Sequence, residues 1–173
     1  MVKWLGIIVG VLVVLGGAVF IAGSMMPQNH TASRSASLSA PPDSVWAVIT
    51  DVAVFPRWRK DVAVVEKLPS RDGKVVWKET SASRNSLTFE AETAEQPRHL
   101  VTRITDKGLP FGGSWDYAIV PDGSGSRITI TENGEIYNPI FRVVSRAMGY
   151  TSTLDAYLES LAVKLGDEYK PTS

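Results

Sequence analysis

The period of the hydrophobic pattern changes several times along the chain, and each change marks an element. From Trp4 to Gly23, in WLGIIVGVLVVLGGAVFIAG, no residue is charged. A helix rises about 1.5 Å per residue, so this run spans roughly 30 Å, the thickness of a bilayer's hydrocarbon core. Ser24 to Ser39 then turns small and polar, and Ala32 to Leu38 alternates as a first strand would. Pro41-Pro42-Asp43 opens a helix that should run to about Asp51 with Val45, Trp46 and Ile49 on one face. Proline suits the first helical turn, where its missing N–H costs nothing, and Asp43 suits the positive end of the helix dipole. Pro56 limits the following Phe55–Lys60 segment to a turn or short helix.

From Val62 the period becomes two. Val62, Val64 and Leu68 fall on one strand face, and Ser70-Arg71-Asp72-Gly73 turns the chain toward Val75 and Trp77. Leu87, Phe89 and Ala91 alternate with Thr88, Glu90 and Glu92; Leu100, Thr102 and Ile104 follow after Gln96-Pro97-Arg98. Trp115, Tyr117 and Ile119 share a face, as do Ile128 and Ile130 beyond the Asp122–Gly125 turn. Short sequential strands with one apolar face describe an antiparallel meander covered on one side. The cover comes last. Asn138-Pro139 caps a helix, and Ile140, Val144, Met148, Leu154, Leu158, Leu161 and Leu165 recur at helical spacing, with Gly149 as a kink or break. The class is α+β.

Charge and composition narrow the functions. Lys and Arg number 18 against 18 Asp and Glu, so the basic footprint that nucleic acid requires is absent. With no cysteine, thiol nucleophiles and thiolate metal sites are excluded. His30 falls in the polar stretch after the apolar run and His99 near a strand start, where a lone histidine reads as a surface residue. No serine has a nucleophile-elbow context, and Gly123-Ser124-Gly125 is a turn rather than a phosphate loop. Neither a metal nor a cofactor is expected. The apolar run is longer than the 7–15 residues or so of a signal peptide, which favours an uncleaved anchor over a leader cleaved near Ala22-Gly23-Ser24. Lys3 precedes the run and the next Lys or Arg is Arg34, so the amino terminus is expected inside the cytoplasmic membrane and the domain outside it. The expected organisation is an anchor over residues 1–24, a linker over 25–31, a domain over 32–168 and a tail over 169–173.

The order of these features resembles the START-like (SRPBCC) superfamily, in its polyketide cyclase/dehydrase-like branch. The carriers are Ala40-Pro41-Pro42-Asp43-Ser44-Val45-Trp46 with Asp51 and Trp58, then Leu109-Pro110-Phe111-Gly112-Gly113-Ser114-Trp115. Thr131-Glu132-Asn133-Gly134-Glu135-Ile136, Asn138-Pro139 and the distal Tyr157-Leu158 with Leu161 complete the pattern, from about Thr31 to Gly166. The resemblance implies a helix-grip fold, in which a curved antiparallel sheet wraps a long carboxy-terminal helix and a cavity commonly lies between them. It implies binding or transport of lipid-, sterol- or polyketide-like molecules, or cyclase and aromatase activity.

The expected site follows from parity and from that fold. If Ile128 and Ile130 face the concave side, period two puts Glu132 there too. A carboxylate so placed must be paired, hydrated or protonated, and is the candidate catalytic or ligand-bonding group. Glu79, on the Val75-Trp77 face, is a weaker candidate. The expected cavity set is Phe55, Trp58, Trp77, Phe89, Trp115, Tyr117, Glu132, Phe141 and Leu154, rings and apolar groups that equally suit a filled core. Arg57, Arg59 and Lys60 are expected in solvent beside Phe55 and Trp58. The expected function is binding or transfer of a small hydrophobic ligand near a membrane. The alternatives are a cyclase or dehydratase using Glu132 with Tyr117 or Tyr137, and a filled-core interaction domain.

Overall fold

The structure, a computed structural model, describes residues 2–170. The helix α1 (Val2–Met25) is, among the described residues, the one helix long and apolar enough to cross a membrane. The strand β1 (Asn29–Leu38) follows after only Met26, Pro27 and Gln28. Part of the linker expected over 25–31 is therefore strand, because Asn29 to Thr31 extend the pairing of β1 onto its neighbour. Next come α2 (Pro42–Thr50), a 3₁₀ turn (Val52–Arg57) and the strands β2 (Val62–Arg71), β3 (Lys74–Ser81), β4 (Ser86–Glu95), β5 (His99–Ile104), β6 (Phe111–Asp122) and β7 (Gly125–Ile136). Two helices close the chain, α3 (Pro139–Met148) and α4 (Ser152–Leu165).

The seven strands form one curved antiparallel sheet in the order β1-β7-β6-β5-β4-β3-β2. Every neighbouring pair from β2 to β7 is sequential, while β1 crosses to the far edge and pairs with β7. The segment of α2 and the 3₁₀ turn makes that crossing. α4 fills the concave side. Its Leu154, Tyr157, Leu158 and Leu161 pack with Val45, Trp46 and Ile49 of α2 and with Ile119, Ile128 and Ile130 of the sheet. Burying such side chains contributes about 1.5–3 kcal/mol each, which makes this layer the main source of stability.

The long carboxy-terminal helix divides in two. Gly149 has φ 82° and ψ 151°, a conformation essentially confined to glycine, and the axis changes there. Asn138 caps α3 as its sequence suggests, its Oδ1 accepting from the N–H groups of Ile140 and Phe141 at 2.9 and 3.2 Å. Strand parity fails at the start of β2. A bulge between Val62 and Val64 flips the strand, so Val62 is buried and Val64 exposed. The carboxy-terminal end is held further than the domain limit at 168, since the Tyr169 hydroxyl donates to Asp155 at 2.7 Å. The remainder of the expected tail, 171–173, lies outside the described residues.

Candidate functional site

The sheet, α3 and α4 enclose a cavity of about 510 Å³. That lies within the roughly 300–1,000 Å³ of small-molecule sites. Five of the expected residues line it: Phe89, Trp115, Tyr117, Glu132 and Phe141. Four do not. Phe55 and Trp77 pack into a second cluster with Val52 and Val62, where the 3₁₀ turn plugs the sheet edge. Trp58 bridges the two clusters, edge-on to both Phe55 and Tyr157, with its buried indole N–H unpartnered. Leu154 is wholly buried against the sheet, on the face of α4 turned away from the cavity. Its helical spacing marks core, not lining.

Two polar stations interrupt the apolar wall. The first is built on Arg59, expected in solvent but nearly enclosed, with a side chain only 11% exposed. The chain leaves the 3₁₀ turn just before it, which aims the guanidinium inward. Nη1 donates to Glu79 at 3.1 Å, and the same carboxylate accepts the Trp77 indole N–H at 2.8 Å. Asp61 is a second anion partner, and the guanidinium carbon lies 5.1 and 5.2 Å from the Phe55 and Tyr157 ring centres. Burial alone disfavours the charged form, but Glu79 and Asp61 outweigh it and hold the pKa above the ordinary value. Next to this pair, the Tyr117 ring lies beside that of Tyr157, with ring centres 5.8 Å apart. Burial raises the pKa of both phenols, more than Arg59 lowers it, so at neutral pH they remain O–H groups able to donate.

The second station is built on Glu132. Period two carries it inward from Ile128 and Ile130, as parity requires. Its carboxylate accepts from His30 Nε2 at 3.1 Å, Trp115 Nε1 at 3.0 Å and Thr153 Oγ1 at 3.4 Å. The His30 imidazole stacks on Tyr150 with ring centres 3.9 Å apart, and its Nδ1 is buried without a partner. The ring also lies directly over Gly134, where a Cβ would sit 2.1 Å from the imidazole carbon Cε1. Only glycine permits that approach.

Sequence reasoning missed His30, Arg59 and Tyr157 as lining residues. A signal for His30 exists: it shares parity with Ala32, Ala36 and Leu38, all buried, once β1 is extended by one pair of residues. Arg59 carries no such signal, because its place depends on Glu79 across the sheet edge. His99 pairs with Asp116 at 3.0 Å on a half-exposed strand face, away from the cavity. Tyr137 is exposed and donates to Glu135 rather than to Glu132. Among the described residues no group of histidine and acidic side chains is arranged to hold a metal ion.

The family model described as polyketide cyclase/dehydrase and lipid transport matches residues 29–166, β1 through the end of α4. The chain belongs to this family. Solved structures share the fold at low identity. The ZhuI aromatase/cyclase from Streptomyces sp. R1128 is 14% identical with a TM-score of 0.66, over 80% of this chain and 94% of that one. Truncated norcoclaurine synthase from Thalictrum flavum is 16% identical with a TM-score of 0.64, over 82% and 96%. A START superfamily protein from Mycobacterium smegmatis is 15% identical with a TM-score of 0.61, over 79% and 97%. No protein of curated function matches the chain. The matched segment begins four residues after α1 ends, so the apolar helix is an addition to the family's domain.

Proposed function

We propose that this chain is a membrane-anchored binding domain that takes up a small amphiphile, lipid-, sterol- or polyketide-like, in the cavity between sheet and carboxy-terminal helices. The observation that carries the reading is the cavity itself: about 510 Å³, walled by rings and aliphatic groups, with phenol donors at one polar station and a fully hydrogen-bonded carboxylate at the other. An apolar body would fill the wall, and one or two oxygens would engage Tyr117, Tyr157 or the His30–Glu132 pair. The anchor α1 crosses the cytoplasmic membrane with the amino terminus inside and the domain outside. Lys3 on one side, and no further Lys or Arg before Arg34, support that orientation. The test is mass spectrometry of molecules that co-purify with the full chain extracted into lipid nanodiscs. One bound amphiphile per chain is expected, and a chain that carries none from any membrane source contradicts the reading.

The second reading is catalytic, and the His30–Glu132 pair favours it. A histidine bonded to a carboxylate at a cavity wall can relay a proton to or from a bound carbonyl compound, as a cyclisation or dehydration requires. Under that reading Glu132→Gln abolishes turnover of a bound polyketide-like substrate while retaining its binding. Equal turnover in the variant removes the pair from catalysis.

A further inference from the structure

α3 is the one helix of the family's domain without a buried residue. Ile140, Val144 and Met148 recur at i, i+4 and i+8 along it, and each is exposed, Met148 to 76%. Nothing in the fold covers this stripe. Its position is fixed by α1. Gly23 meets Pro139 so closely that a Cβ there would collide with the proline carbonyl. Arg142 locks the contact, donating through Nη1 to the carbonyls of Gly23 and Met26 at 3.2 and 3.3 Å, and through Nε to Ile136 at 2.8 Å. Gly23 is in the last turn of α1, and Met26 follows directly after it. α3 is thereby held at the level where the apolar span ends.

We propose that α3 is an interfacial helix: its Ile140-Val144-Met148 face lies in the headgroup–acyl boundary of the bilayer that α1 crosses, and the cavity opens to that bilayer beneath it. The inference rests on α1 spanning the membrane, as in the proposed function. The occupant is lipid because α3 is fastened to the end of α1, whose exposed apolar side chains suit only hydrocarbon. Arg142 and Arg146 fall on the opposite arc of the helix, as an amphipathic helix at an interface requires, with exposed Arg146 at phosphate depth. The adjoining flank of α3, through Phe141 and Ser145, lines the cavity, and Met148 stands where the two faces meet. One helix thus touches both bilayer and cavity, and an amphiphile passing beneath it never crosses bulk water. In the basic-aromatic segment Phe55–Lys60, by contrast, Phe55 is buried and Arg59 nearly so, which leaves Arg57 and Lys60 as its exposed cations.

The absence of cysteine makes the test clean. Val144→Cys, Met148→Cys and, as a control in the β6–β7 turn, Ser124→Cys are labelled with an NBD fluorophore in the full chain. Each is reconstituted into phosphatidylcholine–phosphatidylglycerol vesicles with and without doxyl lipids, and variants that keep the parent's thermal transition are compared. Blue-shifted emission quenched by roughly half or more is expected at 144 and 148, with water-like, unquenched emission at 124. Water-like emission at both α3 positions overturns the proposal. So does energy transfer between copies without lipid quenching, which assigns the stripe to a second chain. In a second arm, Ile140→Asp with Val144→Asp, neither of which lines the cavity, should slow loading of a pyrene fatty acid from vesicles about tenfold, while binding of the same probe added as monomer is unchanged. Equal loading rates overturn the route. Quenching is read with no ligand present, so its failure leaves cavity binding standing, and failure of monomer binding in the parent leaves the interfacial helix standing.

Discussion

At the scale of single residues, the structure separates charges that the sequence places side by side. Arg57 and Lys60 are exposed, while Arg59 enters the domain and neutralises Glu79. Removing one partner of a buried ion pair leaves the other uncompensated. Arg59→Gln should therefore destabilise the domain by about 3–5 kcal/mol. Arg57→Gln with Lys60→Gln should change stability by less than about 0.5 kcal/mol. Urea denaturation of the three proteins measures both, and equal midpoints for the parent and Arg59→Gln would mean the pair is solvated. A second pair tests the Glu132 station. Gly134→Ala should cost about 1–3 kcal/mol through collision with the His30 ring. In a His30→Ala background that cost should largely vanish, and a double-mutant cycle reads the coupling directly. Glu132 was legible because period two is insensitive to everything but strand continuity. Arg59 was not, because three adjacent cations in a proline turn look alike until a partner twenty positions away is in place.

At the scale of elements, periodicity reported existence and missed joints. The apolar positions from Ile140 to Met148 and from Leu154 to Leu165 keep helical spacing, and they belong to two helices with different surroundings. The leucines of α4 are core, and the apolar positions of α3 are surface. Spacing states that a face is apolar, not what covers it. Equally, the polar stretch after α1 hides the start of β1, since Asn29, His30 and Thr31 offer no apolar alternation and are held by pairing with Glu135, Gly134 and Asn133. The consequence is mechanical. Instead of a flexible leash, α1 is joined to the domain by three residues and the Arg142 clamp, with Gln28 accepting from the Ile136 N–H at 2.8 Å. Arg142→Ala should release that joint. Limited proteolysis of the chain in detergent should show cleavage between Met26 and Asn29 accelerated about tenfold, through the open population that a loss of about 1–2 kcal/mol creates. Unchanged cleavage would place the rigidity elsewhere.

At the scale of the molecule, the fold class and the covered sheet follow from alternation, turns and the closing helix, and the family's match over residues 29–166 agrees with them. Whether the covered side is full or hollow is a matter of summed volumes, which no pattern of apolar positions encodes. Here the layer around Leu154, Leu158 and Leu161 is packed, and the layer toward α3 is hollow between Phe89, Trp115 and Phe141. The hollow is where the account stands or falls. Trp115 on its wall is a built-in energy donor, so a dansyl-labelled fatty acid should show saturable energy transfer at one probe per chain. Ile104→Trp, which adds a ring to the cavity lining, should keep the thermal transition and lose that transfer at least about tenfold in affinity. Probe binding that fails to saturate, or that Ile104→Trp leaves unchanged, would mean that the cavity is not the binding site.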